Sequence, residues 1–174
     1  MGDRGTIRSM ERSDLEMVLA WRNHPNVRRF MYTQHQISLE EHARWFERAS
    51  SDAKRYLLIF EHKGIAQGFI SLHEIAGGGI AEWGFYASPD APKGIGRELG
   101  TGALNYAFSR LGFHKVCGQA LAFNERSIQF HRGLGFRQEG VLREQHFDGE
   151  RYHAVIYFGL LDTEWRTIRD RDYT

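Results

Sequence analysis

Pro92-Lys93-Gly94-Ile95-Gly96-Arg97 is the segment whose residue types and spacing most directly suggest chemistry. Its glycines let the backbone come close to a ligand, and the first amides of a helix opening here have no partner inside that helix. Those N–H groups and the positive end of the helix dipole favour an anion such as a pyrophosphate, and Lys93 and Arg97 add charge at the same end. The spacing is not that of a Walker loop, and a dinucleotide fingerprint would want glycine where Leu99 stands. Alone, the pattern reads equally well as a turn that starts a helix. A second motif begins about 30 residues downstream: Asn124-Glu125-Arg126-Ser127, then Phe130, His131 and Leu134-Gly135-Phe136. Asn124 is suited to cap a short helix. His131 carries an imidazole that can both give and take a proton near neutral pH, or it merely caps and lines.

Around these motifs the periodicity predicts a mixed set of elements. Thr6–Met10 reads as a strand, and Ser13-Asp14-Leu15-Glu16 as a capping box with Leu15, Val18, Leu19 and Arg22 on one helical face until Pro25. Asn26–Ile37 is irregular. Ser38-Leu39-Glu40-Glu41 opens a second helix through about Ser50, with Leu39, Ala43 and Phe46 as its apolar face and His42 and Trp45 displaced around it. Arg55–Glu61 and Ile65–Leu72 form a hairpin about His62-Lys63-Gly64, followed by a strand over Ile80–Tyr86. A helix over Gly94–Leu111, a strand over His114–Ala122 and a short helix over Glu125–Leu134 come next. Arg137–Gln145 and Tyr152–Leu160 flank the hairpin signal Asp148-Gly149, and residues 166–174 read as a charged peripheral tail. The order is β-α-α-β-β-β-α-β-α-β-β: an α/β fold, a mixed sheet layered by helices, as one domain over 1–174.

Composition narrows the function. In 174 residues, 41% hydrophobic content supports a core, and a net charge of +1 argues against nucleic acid and membrane surfaces as partners. Cys117 is the single cysteine, so no internal disulfide can form; within a predicted strand it reads as core and not as a nucleophile. The nine histidines are scattered without metal-ligand spacing, so no metal is expected. No apolar run approaches the ~20 residues needed to cross a bilayer and no secretory pattern is seen, which makes a cytoplasmic protein the expectation. Met1-Gly2 with Thr6 matches a loose myristoylation pattern that is often met by chance.

Taken together, the glycine loop, the Asn124 helix ending in Gly135-Phe136, the element order and the final strand pair resemble the GNAT acyltransferases. The resemblance covers nearly the whole chain. It implies acetyl-CoA as cosubstrate and direct acetyl transfer to an amine. In that family the strand before the loop, here Gly84-Phe85-Tyr86-Ala87, carries the coenzyme where two central strands splay. The implied coenzyme residues are Phe85, Tyr86, Ala87, Lys93, Gly94, Ile95, Gly96, Arg97, Asn124, Ser127 and Phe130. Ala91 stands where relatives often have Gln or Arg, which weakens one phosphate contact and leaves the backbone amides in place. The family commonly has Tyr at His131, which makes His131 the leading donor of a proton to the departing thiolate. A backbone N–H near Phe85 or Tyr86 would stabilise the oxyanion. For the amine's proton the candidates are Ser71, His73, Glu74 and Glu82 on the flanking strands, Glu82 through ordered water, or a water chain alone.

The acceptor side lies in the N-terminal third. Trp21-Arg22-Asn23-His24-Pro25, Phe30-Met31-Tyr32 and Ile37-Ser38-Leu39 followed by His42 resemble the N-acetyltransferases of pseudaminic acid biosynthesis. Those enzymes acetylate the 4-amino group of a UDP-linked 4-amino-4,6-dideoxy sugar. The resemblance implies that Arg22 and His42 meet the diphosphate, that Met31, Tyr32 and Trp45 wall the deoxysugar, and that Tyr86 lies near it. Trp21 is read as core. His73 would help hold the nucleotide, although His73 and Glu74 depart from the smaller or basic residues of relatives. The expected partner is thus a UDP-amino-sugar, with no nucleic acid and no membrane, and a homodimer left open. Two other functions remain open: acetylation of protein N-termini, as by the ribosomal-protein acetyltransferases, and a non-catalytic acyl-CoA-binding module.

Overall fold

The computed structural model describes residues 5–171; the Met1-Gly2 pair and residues 172–174 lie outside the described residues. The elements are β1 (Thr6–Ser9), α1 (Leu15–Asn23), α2 (Pro25–Arg28), α3 (Leu39–Ser50), β2 (Arg55–His62), β3 (Ile65–Ala76) and β4 (Ile80–Ala87). There follow α4 (Ile95–Asn105), β5 (Lys115–Leu121), α5 (Glu125–Gly133), β6 (Arg137–Phe147), β7 (Tyr152–Leu161) and α6 (Asp162–Arg171). The seven strands form a mixed sheet in the order β1-β2-β3-β4-β5-β7-β6. The chain divides into two compact units, one comprising residues up to His73 with Gly84–Ala103, the other Glu74–Trp83 with the residues from Leu104 on.

In the first unit β2 pairs antiparallel with both β1 and β3. Met10, Leu15, Val18, Trp21, Ala49, Leu57, Ile59 and Phe69 form its core, so Trp21 is interior as its residue type suggested. Burying each large apolar side chain of this kind contributes about 1.5–3 kcal/mol. The Ser38 hydroxyl accepts the Glu41 amide at 3.1 Å and starts α3 as anticipated. The helix face differs from expectation. Leu39 is 47% exposed, whereas His42 is 4% exposed and stacks on Trp45. Ala43 and Phe46 do pack against the core as expected, while the stacked His42 and Trp45 rings, buried and half-buried, are sheltered where Leu39 is not.

The entry to α1 also differs. The capping box lies not at Ser13–Glu16 but at the preceding 3₁₀ turn, where Glu11 and Asp14 cap reciprocally. Asp14 is drawn there because Arg8 on β1 donates two bonds to its carboxylate, at 2.7 and 2.9 Å, beside the Glu11 amide at 2.8 Å. The Arg8 bonds hold the Asp14 carboxyl below the usual carboxylate range against the opposing effect of burial. Asp14→Ala is therefore expected to cost about 2 kcal/mol of stability, visible as a lower Tm. Because the folded pKa is depressed, this contribution is present above the unfolded value of ~3.9 and is lost as pH falls through the folded one.

In the second unit the first part of β4 pairs parallel with β5, and β7 lies antiparallel between β5 and β6. The helix expected to run to Leu111 is regular only to Asn105 and then widens into a π turn over Tyr106–Arg110. Residues 165–171 are not a loose tail: they belong to α6, where Trp165 is buried and donates its indole N–H to the Asn105 side chain at 3.0 Å. Ile168 lies against Gly135, where any Cβ would collide with it.

Candidate active site

Gly94 turns the chain into α4 with φ of +96°, a left-handed value that glycine adopts without strain. The Ile95 amide bonds the Pro92 carbonyl at 3.2 Å and the Arg97 amide bonds that of Gly94 at 3.0 Å. This corrects the expectation that all amides from Gly94 to Arg97 are open. Among the described residues, those of Gly94 and Gly96 are the ones without a backbone acceptor. Ile95 faces inward and is buried, while Lys93 and Arg97 are exposed at the same helix end. The arrangement can hold an anion with two amides and two cations.

The same unit builds a continuous aromatic path. His42 stacks on Trp45 at 5.0 Å between ring centroids, Trp45 meets Phe69 edge-on at 5.9 Å, and Phe69 meets Tyr86 at 5.1 Å. Tyr86 in turn interacts electrostatically with Arg22; burial raises its phenol pKa, and Arg22 pulls against that rise. Four residues anticipated from sequence (Arg22, His42, Trp45 and Tyr86) are thereby gathered. Arg22 donates one nitrogen, Nη2, to the Thr33 carbonyl at 2.7 Å. Its Nη1 is buried without a partner, as is Nε2 of His42. Burial lowers the Arg22 pKa, and it lowers that of His42 too, where a hydrogen bond to the Leu15 backbone carbonyl opposes the shift. Met31 is half-buried and Tyr32 exposed in the bend after α2. His73 is drawn elsewhere, to Arg55 Nη2 at 3.2 Å and towards Asp52 at 3.7 Å. Its ring is thus engaged with Arg55 at the start of β2 and lies near Asp52 in the turn before it, instead of standing open to a nucleotide.

Asn23 received no role from the sequence. Its side chain donates to the Ile37 carbonyl and accepts from the Ile37 amide, both at 2.8 Å. The two bonds close the irregular segment between α1 and α3, which carries Met31 and Tyr32. Asn23→Leu removes both and is expected to raise KM for the acceptor about tenfold, with KM for acetyl-CoA steady, in initial-rate kinetics.

In the second unit Glu82 on β4 is half-buried and accepts from Gln119 at 3.0 Å. Ser71, on β3 of the first unit, pairs with Leu57 and is also half-buried. Asn124 caps α5 by accepting the Ser127 amide at 3.2 Å, and Phe130 stacks on Trp83 at 6.3 Å. His131 is 1% exposed. Its Nδ1 meets the Ser127 carbonyl at 2.8 Å and its Nε2 takes the Trp83 indole N–H at 3.1 Å. Burial lowers its pKa, with the Ser127 carbonyl opposing. With Nδ1 and Nε2 both engaged by protein groups, the ring presents no free N–H to a thiolate, an arrangement that does not by itself set up the donor role expected of it. Trp83 and Gly118, which surround this ring, were also passed over in the sequence. Cys117 is half-buried, and burial raises its thiol pKa, which disfavours the thiolate that a nucleophile would need. Among the described residues no group of three or more His, Cys, Asp or Glu side chains could hold a metal ion.

A mixed α/β sheet with a glycine turn after β4 that could hold an anion, and a capped helix after β5, is the arrangement expected of an acyl-CoA-dependent transferase. The sequence matches the acetyltransferase (GNAT) domain family over residues 4–137, and the chain belongs to that family. It is an acetyl-CoA-dependent N-acetyltransferase. Acetyltransferase PseH of Campylobacter jejuni (strain 81-176) is 31% identical over 120 residues, 68% of this chain and 74% of that protein. The spermidine N(1)-acetyltransferase of Vibrio cholerae is 26% identical over 168 residues, 95% of this chain and 97% of that protein. The crystal structure of spermidine N-acetyltransferase from Vibrio cholerae, in complex with CoA and spermine, superposes with a TM-score of 0.86 at 25% identity, covering 94% of this chain and 98% of the other.

Proposed function

We propose that the chain acetylates the primary amine of an anionic nucleotide-linked sugar, the 4-amino group of a UDP-linked 4-amino-4,6-dideoxy sugar of the pseudaminic acid type. The single observation that carries this reading is Arg22, whose buried Nη1 has no partner. A buried guanidinium N–H calls for an acceptor, and a phosphate oxygen matches it in charge and geometry. Residues 17–39 contain Arg22, Arg28 and Arg29 and no aspartate or glutamate. Glu41, the carboxylate coupled to Arg22, is engaged by His35 at 3.0 Å. That balance attracts a diphosphate and repels a polycation.

In this reading the Gly94 and Gly96 amides, with Lys93 and Arg97, bind the coenzyme pyrophosphate. Phe85, Tyr86 and Ala87 carry the pantetheine arm and thioester, and Asn124, Ser127 and Phe130 are the further coenzyme residues that the family resemblance implies. The neutral amine attacks the thioester carbon directly, a backbone N–H near Phe85 or Tyr86 stabilises the oxyanion, and the thiolate takes its proton from water. Glu82 accepts the proton of the amine through water, or Ser71 relays it to solvent water. A second reading has a specific observation in its favour: the match to the Vibrio cholerae spermidine N(1)-acetyltransferase spans 95% of this chain, so spermidine is the rival acceptor.

A thiol-release assay with acetyl-CoA against UDP-4-amino-sugars, spermidine, spermine and N-terminal peptides separates the readings. Turnover of the UDP-amino-sugar is expected; turnover confined to spermidine or spermine transfers the site to the rival, and turnover confined to peptides removes both.

A further inference from the structure

The ladder between β4 and β5 runs from Ile80↔Lys115 to Glu82↔Cys117. The next residue on each strand is Trp83 and Gly118, and there the structure spends an unusual amount of its interior on two polar side chains. The Trp83 indole N–H donates to His131 Nε2 at 3.1 Å in the buried interior of the second unit. The His131 ring lies flat on Phe158 at 4.8 Å and 7°, and Phe136 meets its edge at 5.1 Å while stacking on Trp83 at 5.0 Å. Nδ1 is held by the Ser127 carbonyl at 2.8 Å, which fixes the neutral tautomer with its proton on Nδ1 and leaves Nε2 as an acceptor. Gly118 makes the crossing feasible. A Cβ at that position would stand 2.5 Å from His131 Nε2 and 2.7 Å from Trp83 Nε1, in the space the hydrogen bond occupies.

An apolar core does not need this arrangement, and phenylalanine at both positions would fill the volume without a polar atom to satisfy. What a single buried donor–acceptor pair adds is register. Sliding β4 by one residue against α5 would bury an unpaired indole N–H and an unpaired ring nitrogen, each at a cost of desolvation. Trp83 is also the residue directly before Gly84-Phe85-Tyr86-Ala87.

We propose that Trp83 and His131 are a positioning pair: their hydrogen bond, admitted by Gly118, locks the end of the β4–β5 ladder to α5 and so fixes the aim of residues 84–87 during acetyl transfer. The proposal rests on the reading of residues 84–87 as the thioester-bearing segment.

The test is a double-mutant cycle with Trp83→Phe and His131→Met, joined by His131→Gln, whose side-chain oxygen can still accept the indole N–H. On whichever amine the wild-type enzyme acetylates, Trp83→Phe and His131→Met are each expected to lower kcat about tenfold to a hundredfold, because misplacement of reacting atoms acts on rate. Their losses are expected not to add in the double variant. Affinity for CoA, measured by calorimetry, is expected to stay within about twofold, and His131→Gln to recover most of the lost kcat. Wild-type kcat in Trp83→Phe with full loss in both His131 variants would make the ring a proton donor and overturn the proposal. Unchanged kcat in all variants with only a lower Tm would reduce the pair to packing and overturn it equally. A readout without any acceptor keeps the lock separate from the substrate reading: nitrogen NMR of the wild-type protein should show neutral His131 with its proton on Nδ1 and a Trp83 indole N–H protected from exchange. A proton on Nε2, or a freely exchanging indole, would refute the lock whatever the acceptor proves to be.

Discussion

Gly96→Glu is expected to weaken CoA binding at least about a hundredfold, since a carboxylate roughly 5 Å from a phosphate at an effective dielectric of about 20 costs about 3 kcal/mol. Gly96 sits in the first turn of α4, and its amide has no backbone acceptor among the described residues. The same substitution is expected to leave folding intact or improve it. Glutamate is a better helix former than glycine, and a negative charge is favourable at the N-terminus of a helix. Binding and stability should therefore move in opposite directions, which a general disruption of the fold would not produce. Calorimetry with CoA and a thermal melt of the apo protein give the two signs directly. Retained CoA affinity in a folded Gly96→Glu protein would remove the glycine turn from the coenzyme site.

Arg22→Met is the second change with a large expected effect. Methionine keeps much of the aliphatic stem and removes the guanidinium whose Nη1 is buried without a partner. If that nitrogen meets a phosphate, truncating one partner of a buried charge pair costs about 2–5 kcal/mol, or thirtyfold to a few thousandfold in kcat/KM for the UDP-amino-sugar. Stability should hold or rise slightly, because the substitution also removes a buried donor that the free protein leaves unsatisfied. With spermidine the sign reverses, since a cationic acceptor is relieved of a repelling charge and its kcat/KM should rise. One variant assayed on two acceptors thus distinguishes the two readings of the site. An Arg22→Met enzyme equally active on the sugar substrate would falsify the phosphate role.

The motifs that survive from sequence to structure are those whose physics is local. Ser38 caps α3 through an amide three residues on, and Asn124 caps α5 in the same way. Gly94 lies where the chain needs a left-handed turn, and every strand anticipated from β-rich runs is present with ends moved by a few residues. Arg22, His42, Trp45 and Tyr86 were all recognisable as candidates, and all fall on one path in the first unit.

What escaped detection depends on partners far away in the chain. Asp14 caps a 3₁₀ turn because Arg8 on the neighbouring strand binds it, so Ser13 is left without the capping role its spacing suggested. Asn23 acts through Ile37, across 14 residues. The helix α6 has few apolar residues, and the docking of Trp165 onto Asn105 and of Ile168 onto Gly135 distinguishes it from a solvated tail. His131 was judged by its residue type, yet its chemistry is set by Trp83, 48 residues before it.

The amino-acid sequence by itself determined the seven strands, the helices capped at Ser38 and Asn124, the glycine turn at Gly94 and the concentration of arginine without carboxylates before α3. Each of these follows from backbone preference, capping and charge within a few residues of one another. Tertiary structure alone decided which nitrogens remain open. It closed both of those on His131 and left one each on Arg22 and His42, because a buried donor or acceptor takes its function from whatever group the fold brings within about 3 Å of it.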